Sequence, residues 1–279
     1  MYTHKELTPF VVISGLASLL TILAAAIGLF TANYYPIASA TYRVAVKAQD
    51  LIALVAALII LAAVYRTWQG STRAVVVWTG CLGYLIYSYL LLTMDTIFTP
   101  IFPVYIAILG LCLYSLIGLL GRLNADKFRP SVSDSMPVRF IAGVLAIPLI
   151  LIPPWIAFIS DPVLRVQPNA LTTVNVIDLS FVIPACLLSA YLIWRKQVWG
   201  YVFSGVMLVK MFTMGLSLVI ATFWANIEVG TPIDPIQTPI YAAFMLLGGW
   251  AMLRYLSHLR DAVQPSPRPA PLNPANTAR

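Results

Sequence analysis

Lys210 is the only charged residue between Gly200 and Ile227, in the stretch GVMLVKMFTMG. A lysine at the centre of a membrane-spanning helix costs about 2.5–3.5 kcal/mol on insertion scales, so it calls for a partner, a wet cavity or a task. The chemistry open to it is electrostatic: holding an anionic group, or exchanging charge with a buried acid. Two aspartates sit in comparable apolar settings, Asp50 in AQDLIALV and Asp178 in VIDLSFV. Either can carry a proton. Each also reads as a first-turn carboxylate that caps free N–H groups and favours the positive end of the helix dipole.

The same neighbourhoods supply polar side chains. Tyr84, Tyr87, Ser88 and Asp95 fall at helical spacing, on a face that runs from mid-membrane outward. Asn175 lies one turn before Asp178, and Gln49 adjoins Asp50. Lys47 and Asp50, three residues apart, are placed to pair locally. Thr213 and Ser217 continue the face of Lys210 outward. The candidate substrate- or ion-binding set is therefore Gln49, Asp50, Tyr84, Tyr87 and Asp95, with Asn175, Asp178, Lys210 and Thr213.

Other chemistries lack their residues. Cys81, Cys112 and Cys186 are isolated in separate apolar runs, and His4 and His258 lie outside the runs. That gives no paired metal motif and no intramembrane haem ligand. There is no phosphate-cradling glycine loop and no nucleophile elbow, so no cofactor and no catalytic residue is assigned.

The elements that must position these groups are membrane helices. Of 279 residues, 60% are hydrophobic and 10% charged, against about 45–50% and about 25% in soluble domains. The mean hydropathy is +0.87. Repeated apolar runs of about 20 residues each can cross a hydrocarbon core of about 30 Å. The fold class is therefore all-α: a polytopic membrane bundle of about eight helices. Alternation of the kind a barrel needs is absent. The spans are expected near Pro9–Phe30, Ala45–Tyr65, Ala74–Met94, Ile101–Leu120, Arg139–Ser160, Val174–Trp194, Gly200–Trp224 and Ile236–Leu256. The first run reads as a span rather than a cleaved signal. Residues 1–262 form the membrane domain. Residues 263–279, rich in Pro, Ala and Asn, read as a disordered cytoplasmic tail.

With eight spans, Lys5, Arg66, Arg73, Arg122, Lys127, Arg129, Arg195 and Lys196 fall on one side. The positive-inside rule makes that side, and both termini, cytoplasmic. The net charge of +7 is thereby explained without nucleic acid. The polar groups then gather in the outer half of the membrane, which suggests a cavity open to the outside. The chain also repeats itself. Asp50-Leu51 and Asp178-Leu179 recur near the start of spans 2 and 6. Thr99-Pro100-Ile101-Phe102-Pro103 and Thr231-Pro232-Ile233-Asp234-Pro235 precede spans 4 and 8. The order suggests two parallel four-helix repeats, 1–125 and 135–262.

The stretches AQDLIALVAALIILAAVYR, FPVYIAILGLCLYSLIGLL and IDLS…VWGYVFSGVMLVK resemble an uncharacterised group of bacterial multi-pass integral membrane proteins. The resemblance implies a bacterial inner membrane and no activity. The leading functional expectation is a transporter or solute-binding membrane protein with an outward-facing polar site. Its partners would be the lipid bilayer and a small anionic solute or a proton. An accessory or assembly subunit, with partner subunits in a larger membrane complex, is the alternative. A lipid- or quinone-modifying enzyme ranks last, for want of a nucleophile–base pair or a metal cluster.

Overall fold

Ser39 and Ser71 mark how the helices begin. Each stands in an extended conformation, and its hydroxyl accepts from a backbone N–H three residues on, Tyr42 at 3.2 Å and Ala74 at 3.4 Å. Such caps satisfy donors that a helix start leaves free. Gly230, with φ of +72°, ends the longest helix in the left-handed conformation that glycine tolerates. In the computed structural model, which describes residues 4–37, 39–161 and 170–261, the regular elements are helices.

Eight of them are long and apolar enough to cross a membrane. We number the spans 1 to 8: Lys5–Phe30, Ala40–Trp68, Thr72–Met94, Phe102–Arg122, Val138–Ile159, Thr172–Trp194, Val198–Val229 and Gln237–Ser257. Most ends lie within a few residues of the sequence expectation. Span 2 is the informative exception, because it begins at Ala40. Asp50 is thus the eleventh residue of its helix, not a first-turn cap. Asp178 likewise lies eight residues beyond the helix start at Ala170. The expected disordered tail, 263–279, falls outside the described residues.

Spans 1, 2, 3 and 4 pack as a ring in which span 1 meets both span 2 and span 4. Spans 5, 6, 7 and 8 pack likewise, with span 8 returning to span 5. Span 7 also packs on spans 2 and 3. Small residues permit that approach: a Cβ at Gly80 would meet Val209 Cβ at 2.4 Å, and one at Gly205 would meet Val76 Cγ1 at 2.6 Å. In span 3, 78% of the most apolar window is buried, against 28% in spans 4 and 8, so span 3 is the inner helix.

Two spans are irregular, and proline explains both. Span 5 changes from α-helix to 3₁₀ over Ile147–Leu151, then back to α-helix over Ile152–Ile159. Pro148, Pro153 and Pro154 remove backbone donors there. Span 6 contains a π-turn over Asp178–Val182, where the Ile183 N–H bonds to the Asp178 carbonyl. Pro184 follows at once; it offers no N–H and crowds the carbonyl four residues back.

At the other end of span 7, Asp234 accepts from the backbone N–H groups of Ile236 (2.7 Å) and Gln237 (2.9 Å) at the start of span 8. These bonds hold its carboxyl below the usual range. A depressed carboxylate stabilises the fold above its ordinary value of about 3.9 and stops doing so as pH falls through the lower folded value. Asp234→Ala should therefore lower the melting temperature at neutral pH. The gap from the parent should close as pH drops below the ordinary range, which thermal melts across pH will read.

Candidate functional site

Lys210 lies on the face of span 7 that turns toward spans 3 and 6. It is 5% exposed, and Asp178 is 2% exposed. The ammonium stands over the Tyr87 ring, 4.1 Å from its centroid. It donates to the Met214 sulfur, one turn along its own helix, at 3.2 Å. A cation over an aromatic face in a desolvated setting gains about 2 kcal/mol. The Tyr87 hydroxyl in turn donates to Asp178 Oδ1 at 3.1 Å. The Trp155 indole N–H, from the last segment of span 5, donates to Asp178 Oδ2 at 3.2 Å.

Lys210 and Asp178 do not touch. Among the described residues, no ion pair within 4.0 Å includes either of them. They line one cavity of about 20 Å³. That volume suits a single water, which needs roughly 10–15 Å³. Tyr87 is thus the bridge between the two side chains: its ring meets the Lys210 nitrogen and its hydroxyl meets the Asp178 carboxyl. The irregular backbone borders the same cavity. Pro148 and Leu151 come from the 3₁₀ segment of span 5, and Val182 and Ile183 from the end of the π-turn. π-turns and 3₁₀ segments inside helices often mark functional positions.

The other sequence candidates are elsewhere. Asp50, 4% exposed, accepts from the hydroxyl of Tyr35, which reaches it from the loop between spans 1 and 2. Lys47 does not pair with Asp50. It pairs across to Glu228, next to the C-terminal end of span 7, at 3.7 Å. Asp95 closes span 3 and accepts from the Tyr42 hydroxyl at 2.5 Å, far along the helix from Tyr87. Tyr84 donates to the Gln49 carbonyl at 3.2 Å, while Gln49 Oε1 is buried without a protein partner.

Asn175 is buried one turn before Asp178. Thr213, expected to extend the polar face, spends its hydroxyl on the carbonyls of Val209 and Lys210 in its own helix. It therefore contributes no bridge. In place of one outward-open site, the candidates divide into a Lys210–Tyr87–Asp178 group and a separate group about Asp50. Trp155, Tyr35 and Met214 join these groups without having been marked by the sequence.

No metal cluster of three or more His, Cys, Asp or Glu occurs among the described residues. The eight long apolar helices fit an integral membrane protein in contact with the lipid bilayer. Scans of protein-family models, curated proteins and solved structures each give no match, so the family resemblance gains no support from them and the site stands on its geometry.

Proposed function

We propose that the chain is a membrane transporter or solute-binding membrane protein that receives a small monovalent anion, such as a short carboxylate, at Lys210. The observation that carries this reading is the separation of two buried opposite charges across one cavity. A structural ion pair gains most by direct contact. Here Lys210 keeps donor capacity toward the cavity, while Asp178 is held by two neutral donors, Tyr87 and Trp155. An anion entering beside Lys210 would leave one negative charge too many in a low-dielectric site. Asp178 would then take a proton, and the group would stay neutral.

The cavity of about 20 Å³ corresponds to an occluded arrangement. Admission of a solute requires the 3₁₀ segment of span 5 or the π-turn of span 6 to move. The setting is a bacterial inner membrane, with both termini cytoplasmic. Two parallel four-span repeats belong to the same reading; the ring-like neighbours within spans 1–4 and within spans 5–8 support them.

Trp155 supplies the readout, because its N–H bonds directly to Asp178. Titrating the purified protein with formate and acetate should give a saturable change in tryptophan fluorescence. Trp155→Phe should remove most of that change. Lys210→Met should abolish the response at every concentration. A Lys210→Met protein that responds like the parent would sink the assignment.

A further inference from the structure

The first four spans hold a second polar group, apart from the Lys210 cavity. Asp50 lies among them with Tyr35 as its one hydrogen-bond partner among the described residues. The two cations nearest to it on its own helix are committed elsewhere, Arg43 donating to the Ile37 carbonyl and Lys47 pairing with Glu228, and Arg66 stands at the far end of the span. From span 1 it faces Gly28, where an added Cβ would meet Asp50 Oδ2 at 2.2 Å and the Tyr35 hydroxyl at 2.3 Å. From spans 3 and 4 the groups in its electrostatic reach are Tyr84, Tyr89 and Tyr105, all ordinarily neutral. Among the described residues, Asp50 is thus a buried carboxylate with no cation beside it, unlike Asp178.

Span 1 carries a polar stripe below it. Ser14, Ser18, Thr21 and Gly28 keep helical spacing on one face, over about 21 Å at 1.5 Å per residue. The three hydroxyl-bearing residues are fully buried. At the lower end Ser14 bonds to Ser115 of span 4 at 2.6 Å and accepts from the Trp78 indole at 3.0 Å. Between that cluster and Asp50, the hydroxyls of Ser18, Thr21 and Tyr89 have no hydrogen-bond partner among the described residues. Thr21 and Tyr89 are near enough to influence one another, yet neither completes a hydrogen bond. Below Ser14 the stripe stops at Phe10, which packs so tightly on Gly118 that a Cβ there would lie 2.1 Å from its ring.

We propose that Asp50 is a proton-binding carboxylate, and that the stripe Thr21–Ser18–Ser14, with Tyr89, is a proton path leading from it to mid-membrane and closed at Phe10. Hydroxyls suit this task because each donates and accepts at once. A proton moves along such a row by successive hydrogen-bond exchange, with the loose hydroxyls free to rotate. Nothing is oxidised or reduced; the carboxylate gains one proton and the row passes one on. An alkali cation would need acceptors closing round it. The group nearest to the Asp50 carboxylate, the Tyr35 hydroxyl, is instead a donor.

Infrared spectroscopy of the intact protein in lipid discs tests this. A protonated Asp50 gives a carboxyl carbonyl band at neutral pH that is missing in Asp50→Asn and shifts on transfer to D₂O. Phe10→Ala, which opens the far end of the row, should speed that shift, and adding Thr21→Val, which keeps shape and removes one relay, should slow it again about tenfold, the effect of about 1.4 kcal/mol on a barrier. Should Asp50→Asn fail to fold, Tyr35→Phe serves instead, since losing its donor must move the band. Three results overturn the proposal. One is no Asp50 carboxyl band at all. Another is a band removed by sodium but not by choline, which would mark an alkali-cation site. The third is exchange as fast in the Phe10→Ala, Thr21→Val, Ser18→Ala triple variant as in Phe10→Ala alone.

Discussion

Lys210→Met and Asp178→Asn should each destabilise the protein, by about 3–5 kcal/mol, the usual cost of leaving one buried charge without its opposite. The two losses differ in kind. Removing Lys210 leaves a carboxylate that still has the Tyr87 and Trp155 donors at 3.1 and 3.2 Å, and it can recover by taking a proton. Removing the charge of Asp178 leaves an ammonium with only the Tyr87 ring and the Met214 sulfur. It must lose its proton or draw in water. Asp178→Asn should therefore be the more damaging, and the Lys210→Met, Asp178→Asn double variant should recover most of the stability. Thermal melts in one detergent, with size-exclusion profiles, measure this. Additive losses in the double variant would show that the two charges do not sense each other across the cavity. Stability and binding separate here: a double variant that folds well yet gives no fluorescence response to formate marks a pair kept for its task.

Gly215→Leu should cost more than any other single change between spans 7 and 8. A Cβ at Gly215 would lie 2.5 Å from the Met245 nitrogen and 2.8 Å from the Phe244 carbonyl carbon. Both atoms are backbone, so no rotamer change relieves the clash and the helices must part. Gly248 and Gly249 extend the close seam from the other side, facing Met211 and Phe212. Small residues at such seams let membrane helices gain the packing that replaces a hydrophobic driving force. Span 7 also carries Lys210 and packs on spans 2, 3 and 6, so displacing it disturbs both halves. The expected result is loss of the monodisperse peak, not a small shift in melting. Gly143→Leu is the control, because a Cβ at Gly143 meets nothing within 4 Å and the site is exposed to lipid. A Gly215→Leu protein as well folded as the control would refute the close seam.

The spans were legible because hydrocarbon thickness and backbone satisfaction leave a chain few choices. Asp178, Tyr87 and Lys210 were legible as separate oddities, since polar groups in apolar runs are costly wherever they sit. Their partners were not. That Tyr87 bridges the pair, or that Lys47 reaches Glu228, depends on the rotation and stagger of helices far apart in the chain. Local spacing instead suggested the nearer pairing of Lys47 with Asp50. The capping role for the two aspartates failed for another reason. Hydropathy marks the apolar part of a helix, whereas span 2 continues through the polar residues ATYRVAVKAQ before its apolar part begins. Thr213 illustrates a third limit: a hydroxyl within a helix can be absorbed by its own backbone.

Span 7 has 32 residues, about 48 Å at 1.5 Å per residue, far more than the roughly 30 Å of a hydrocarbon core. It must lean, or carry one end well beyond the lipid tails. Mechanically it is a lever, and its parts respond unequally to the membrane. Lys210 is about 18 Å from the N-terminal end, near the pivot, so its depth changes little with lean. Glu228 is about 27 Å further along and swings widely. Its link to Lys47 at 3.7 Å ties that swing to span 2, the helix that bears Asp50. Bilayer thickness thereby becomes an input to the protein: thinner lipid favours more lean and strains the Lys47–Glu228 link, while thicker lipid lets span 7 stand straighter around an almost stationary lysine.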